Sequence, residues 1–184
     1  MKKVLSLIVA LTATVCAFAQ TESAKKDSDP LDISRELEKI SEYGVPTVQL
    51  VDQMKVKADN LYQSQSWTEA IVAYEEYAKK ANWLANLLSQ CVEPYYSASY
   101  DDKKNVSYVS IKKYIPYESA SNNYKEKRNQ AYVRIGLCYK QLGNNEKAVA
   151  YLHKGLDLLD LKATVDWAEA VAALSEILGF TPEQ

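Results

Sequence analysis

Glycine is scarce in this chain, 5 of 184 residues, well under the usual share of ~7%. The shortage excludes a turn-rich β-sandwich and leaves little material for phosphate-cradling loops, which need closely spaced glycines. Histidine is rarer still. His153 stands alone, so a metal site built on two or more histidines cannot be assembled. A Ser-His-Asp triad would have to recruit His153, which follows the apolar position Leu152 on a helical stretch and reads as a surface side chain. The sequence contains no G-x-G-x-x-G, G-x-x-x-x-G-K-[ST], C-x-x-C or H-E-x-x-H, which removes motif support for nucleotide, thiol-redox and zinc-protease chemistry. Carboxylate pairs such as Glu75-Glu76 and Asp101-Asp102 are sequence neighbours, the pattern of a solvated face. The expectation is a protein that is not an enzyme and uses neither cofactor nor metal.

What is present is a globular composition: 47% apolar and 25% charged residues, with a mean hydropathy of -0.32. The length suits one domain. At the N-terminus Lys2 and Lys3 precede an apolar run from Val4 to Val15, and Ala17-Phe18-Ala19 offers a small-x-small cleavage pattern. Residues 1–19 therefore resemble a signal peptide of Gram-negative type, with Gln20 as the first mature residue. A lipid anchor on Cys16 is disfavoured by the bulky Val15 before it. Export to the periplasm, or association with the outer membrane, is expected, with no transmembrane segment left after cleavage. Cleavage lowers the basic count from 22 to 20 and leaves 24 acidic residues, so the mature net charge is -4 and nucleic acid is not an expected partner. Cys91 and Cys138 remain, and whether they pair stays open, because the sequence does not supply their separation.

Prolines at 30, 46, 94, 116 and 182 divide the chain. Residues 20–30 are polar and read as a disordered linker, and 31–180 as a single helical domain. Leu31, Ile33, Leu37 and Ile40 mark an amphipathic helix closed by Gly44 and Pro46, suited to cover one end of that domain. A second helix runs from about 47 to 64. A third starts near Trp67 and keeps one face apolar through Tyr74, Ala78, Ala81, Leu84, Leu88 and Cys91, until Pro94 stops it. Near the C-terminus Val165, Trp167, Ala168, Val171, Leu174, Ile177 and Leu178 form a cap helix over about 164–178, closing at Gly179.

Two stretches match one another at a constant offset of 78: Ala58 with Gly136, Leu61 with Tyr139, Trp67 with Asn145, Ala70 with Ala148 and Tyr74 with Leu152. The later one, Tyr132 to Tyr139 followed by Gly143-Asn144, Ala148 and Leu152, resembles the tetratricopeptide repeat, whose period is about 34 residues. By that resemblance the repeats occupy about 51–84 and 129–162. Small residues at 58, 70, 136 and 148 allow close helix crossings, Ala58 against Ala70 and Gly136 against Ala148. The fold implied is all-α: antiparallel helix pairs in a short α-solenoid with flanking cap helices. Lys57 stands where the family usually has leucine, and Tyr77 where it has a small residue. The family's binding groove is lined by the first helix of each repeat, which implies partner contacts from Lys55, Asp59, Tyr62 and Gln63 and from Val133, Arg134, Leu137, Lys140 and Gln141. Asp59 stands where the carboxylate-gripping subclass wants asparagine, so that specificity is not implied.

Between the repeats lies an insertion, about 94–118. Tyrosines 95, 96, 100, 108, 114, 117 and 124 make up half of the fourteen. Residues 94–128 hold seven basic and four acidic side chains, a local excess of positive charge in an acidic chain. Such a surface could contact a partner or a sugar through Tyr108, Tyr114 and Tyr117, or its tyrosines could pack on adjacent helices while the lysines are solvated. The stretch Val106 to Ile111 has strand-like residues, and a short hairpin and an irregular loop are both open. The expected function is a non-enzymatic protein–protein interaction module, an adaptor or accessory subunit of a cell-envelope assembly that binds a protein or extended peptide. The alternative is a glycan-binding accessory protein that uses the tyrosines of the insertion.

Overall fold

The computed structural model describes residues 32–95, 97–160 and 162–181. The signal-peptide and linker expectations, over 1–19 and 20–30, lie outside the described residues. Seven helices and no strand occur among them: α1 (Ser34–Tyr43), α2 (Val48–Gln63), α3 (Trp67–Gln90), α4 (Tyr100–Lys104), α5 (Tyr108–Gln141), α6 (Asn145–Leu158) and α7 (Thr164–Leu178). The all-α class expected from the sequence is the class observed. The chain divides into two compact units, residues 1–41 and 42–184. The described part of the first is most of α1, started by the Asp32 carboxylate, which accepts from the Ser34 backbone N–H at 2.9 Å. No residue of α1 is buried.

In the second unit α3 packs on α2 and α5, and α5 packs on α6 and α7. The register is read from side-chain pairs. Tyr74 meets Asp59 while Trp67 meets Tyr62, so α2 and α3 are antiparallel. Gly136 lies against Leu152 and Val133 against Gly155, so α5 and α6 are antiparallel too. Asp52 meets Tyr124 and Tyr62 meets Arg134, which makes α2 and α5 parallel. Arg134 meets Glu169 and Lys140 meets Glu176, which adds α7 in the same direction.

The turns repeat along with the helices. In the α2–α3 turn Gln65 N–H donates to Tyr62 C=O and Ser66 N–H to Leu61 C=O; in the α5–α6 turn Gly143 donates to Lys140 and Asn144 to Tyr139. These are Schellman closures, which need a left-handed residue at the second of the donors' predecessors. Gln65 (φ 60°) and Gly143 (φ 73°) supply it, and they are separated by the same 78 residues that relate the two sequence stretches. Gly179 (φ 65°) closes α7 in the same way, with Phe180 N–H on Ser175 C=O.

Ala58, Ala70 and Ala148 are fully buried, as close crossings require. The tightest contact of Gly136 is with Leu152 instead of Ala148: a Cβ there would lie 2.7 Å from Leu152 Cγ and 3.0 Å from its backbone nitrogen. A second close approach, which the sequence pattern does not announce, is Gly155, where a Cβ would lie 2.6 Å from Val133 Cγ2.

Within the insertion, α4 and the first turns of α5 are helical. Ser107 caps α5 by accepting from Ser110 N–H at 3.3 Å, so the stretch from Val106 to Ile111 is a helix start, neither hairpin nor irregular loop. Pro116 lies inside α5; its position is exposed, and the ring costs the N–H bond that residue 116 would have donated back one turn. The lower half of α5 runs antiparallel beside the end of α3, joined by Ser121 Oγ, which donates to Ala85 C=O at 2.8 Å and lies 2.8 Å from Ser89 Oγ. Tyr124 is buried, and Tyr95 stacks on Tyr114 with centroids 5.0 Å apart. Cys91 is exposed, Cys138 is buried and both are free thiols; burial pushes the Cys138 thiol up to about 12.

Candidate functional site

Three parallel helices, α2, α5 and α7, border a polar cleft of about 400 Å³. Lys55, Asp59, Tyr62 and Gln63 reach it from α2, spaced so that they share one helical face. From α5 come Lys127, Gln130, Ala131 and Arg134, again one face, and from α7 Asp166. Tyr74 and Tyr77 of α3 form the floor.

Each cation of this cleft has a carboxylate. Lys55 Nζ lies 2.6 Å from Asp59 Oδ2, whose other oxygen accepts the Tyr74 hydroxyl at 2.8 Å. Burial and this carboxylate push the Tyr74 phenol far above its ordinary range. Lys127 lies 3.6 Å from Asp52 Oδ1 and over the Tyr124 ring. Arg134 sits between Asp166 at 3.0 Å and Glu169 at 2.5 Å, with its guanidinium 5.3 Å from the centroid of the Tyr62 ring. Burial disfavours the Arg134 charge, but Glu169, Tyr62 and Asp166 outweigh it and hold the guanidinium above the usual arginine range. A cleft whose charges are consumed in this way offers shape and neutral hydrogen-bonding groups, chiefly the carboxamides of Gln63 and Gln130. Under it, Tyr77 is fully buried with a hydroxyl that has no hydrogen-bond partner among the described residues.

Of the nine residues implied for the groove, five meet in this cleft: Lys55, Asp59, Tyr62, Gln63 and Arg134. Val133 does not reach it; the side chain is fully buried under Gly155 in the α5–α6 contact. Leu137 packs in the small core shared with α7. Lys140 and Gln141 border a separate hollow of about 270 Å³ beside Asn145 and Glu176, with Lys140 bonded to Glu176. Tyr108 and Tyr117 are exposed near the start of α5, and Tyr114 has one face against Tyr95. Lys112 lies over the Tyr108 ring at 5.0 Å, Lys104 over Tyr100 at 4.3 Å and Lys103 over Tyr95 at 5.6 Å, so three lysines of the insertion lie on its tyrosines. Sequence reasoning missed Lys127, Gln130 and Asp166. The first two were within reach, since 127, 130 and 134 share a helical face; Asp166 needs the docking of α7.

Among the described residues no group of three or more His, Cys, Asp or Glu side chains could hold a metal ion, and no helix is long and apolar enough to cross a membrane. Compared with protein-family models, with curated proteins and with solved structures, the chain shows no match.

Proposed function

We propose that the second unit is a tetratricopeptide-type binding module without catalytic chemistry, and that its α2–α5–α7 cleft receives an extended segment of a partner protein. The α2–α3 and α5–α6 pairs are the two repeats, α7 is the first helix of an incomplete third, and the insertion lengthens the contact between α3 and α5. The observation that carries the reading is the convergence of polar side chains from three successive parallel helices on one cleft. Stacked helical pairs characteristically present such a surface for recognition. Support for the repeat comes from the two Schellman turns set 78 residues apart. Because Lys55, Lys127 and Arg134 are already paired, the cleft favours the amide backbone of an extended peptide over a charged chain end. The signal-like N-terminus puts the partner in the cell envelope, where the protein serves as adaptor or accessory subunit.

Peptides selected from a random library against the wild-type chain test this directly. They should bind the Gln63→Ala/Gln130→Ala double variant at least about tenfold more weakly, with the thermal midpoint of the protein unchanged. Equal binding would overturn the reading. A glycan array that returns ligands sensitive to Tyr108→Ala and Tyr117→Ala would move recognition to the insertion and favour the saccharide alternative.

A further inference from the structure

On another face of the second unit, α3, α5 and α6 border a further cleft, of about 600 Å³. Three cations line it, Lys79, Arg128 and Lys154, against one carboxylate, Glu75. Glu75 accepts the Tyr151 hydroxyl at 2.6 Å. Neither Lys79 nor Lys154 takes part in an ion pair among the described residues.

Arg128 is oriented without being neutralised. Its Nε and Nη2 donate to Asn129 Oδ1 at 3.0 and 2.8 Å, and Nη1 donates to Asn82 Oδ1. Asn129 is itself buried and fixed by its amide, which donates to Leu158 C=O at 2.6 Å. Neutral carbonyl acceptors thus hold the guanidinium in place and leave its full charge. Two of its five N–H groups remain for a ligand. A planar fork held in this manner matches a tetrahedral oxyanion, and unpaired ammonium groups beside it add attraction without geometric demand.

The cleft is larger than a bare anion needs and falls in the size range of small-molecule sites. Tyr132 and Tyr151, with ring centroids 6.3 Å apart, supply apolar wall area beside the charges. We infer that this cleft is a binding site for a small organic phosphate or sulfate ester, with Arg128 on the oxyanion, Lys79 and Lys154 as flanking charges, and the carbon skeleton on the tyrosine rings. The inference is independent of the peptide cleft, since the two share no lining residue.

Titration of the whole protein at low ionic strength, followed by amide chemical shifts, tests it with glucose 6-phosphate, glucose 6-sulfate, glucose and inorganic phosphate as probes. One or both esters should give saturable shifts in α3, α5 and α6, tighter than inorganic phosphate, while glucose gives none; the stronger ester identifies the anion. Lys154→Glu, at an exposed position, should abolish the saturable shifts, and Arg128→Gln should weaken binding by at least about tenfold. Because Arg128 also holds Asn82 and Asn129, Lys154→Glu is the decisive variant if Arg128→Gln destabilises the fold. Lys57→Gln on α2 should change nothing. Shifts that grow linearly with every anion, or that Lys57→Gln weakens as much as Lys154→Glu does, would overturn the site. Inorganic phosphate binding as tightly as either ester would overturn the part assigned to the tyrosine rings.

Discussion

The two clefts of the second unit each hold three cations, yet one is electrostatically spent and the other is not. Around α2, α5 and α7 the partners of Lys55, Lys127 and Arg134 are carboxylates; around α3, α5 and α6 the partners of Arg128 are carboxamides, and neither Lys79 nor Lys154 is ion-paired among the described residues. Composition is thus a poor guide to what a surface binds. The acceptor opposite each cation decides whether charge is left over for a ligand. Both clefts also contain one tyrosine–carboxylate pair, Tyr74 with Asp59 and Tyr151 with Glu75, so the difference lies in what faces the cations.

The harshest way to separate the clefts is to displace α6, which borders only the second. Gly136→Leu places a side chain where a Cβ alone would lie 2.7 Å from Leu152 Cγ and 3.0 Å from backbone. A destabilisation of about 3 kcal/mol is expected, at the upper end for overpacking, measured by urea unfolding. Gly155→Ala is the finer tool. Its Cβ presses on Val133 Cγ2, which can give way more readily than backbone, and should cost about 1 kcal/mol while weakening ester binding and leaving peptide binding intact. Equal loss at both clefts would show that they are not separable.

Alkali should act on both clefts through their tyrosines. Burial first, then the hydrogen-bonded carboxylate, raises Tyr74 and Tyr151 far above the ordinary value of 10.0, so above that pH the unfolded chain loses protons that the folded chain keeps. The stabilisation is complete below about pH 10 and falls as pH rises beyond it, by about 1.4 kcal/mol per pH unit for each such group. Tyr74→Phe and Tyr151→Phe should each flatten the slope of stability against pH measured between pH 10 and 11. A slope unchanged in both variants would mean that neither phenol is protected.

Much of this was legible beforehand. The offset of 78 rests on small residues at the crossings, a local feature, and the left-handed turn residues Gln65 and Gly143 obey the same offset although Gln65 was no part of the pattern. The α2 face was also legible, because Lys55, Asp59, Tyr62 and Gln63 need only helical spacing to fall together. Val133 was misplaced because adjacent positions on a helix point about 100° apart: Arg134 looks into the cleft and its neighbour into α6. Pro116 misled for another reason: it lies in the interior of α5, where the lost N–H bond and the ring clash cost about 3 kcal/mol, and the packing of α5 along α3 carries the helix through it. The second cleft was not visible at all. It depends on α3, α5 and α6 lying side by side and on Asn82 and Asn129 taking the place of acids, which no spacing rule reveals.

Tyr77 sharpens the comparison from beneath the first cleft. It stands where a small residue is usual in the family that the chain resembles, and its hydroxyl has no partner among the described residues. Tyr77→Phe should therefore stabilise the fold by about 1 kcal/mol, the penalty of a buried unsatisfied hydroxyl removed. If the variant instead loses stability, the hydroxyl is satisfied in solution. Retained peptide binding would place the phenol in the scaffold, and weakened binding would make it part of the floor that a ligand contacts.

The smallest effect concerns the turns that close the α2–α3 and α5–α6 pairs. Gln65 and Gly143 adopt the same left-handed conformation at φ 60° and 73°, but only the glycine does so without a Cβ clash, which costs a non-glycine residue roughly 1–2 kcal/mol. Part of any gain is returned, because glycine also has more freedom to lose on folding. Gln65→Gly should thus raise stability by about 0.5 kcal/mol, while Gly143→Gln should lower it by a similar amount, both read from urea midpoints at constant m-value. Mirror-image shifts would establish that the two turns are energetically the same turn. If Gln65→Gly destabilises, the glutamine side chain contributes something that its counterpart lacks, and the symmetry between the two helix pairs ends at the backbone.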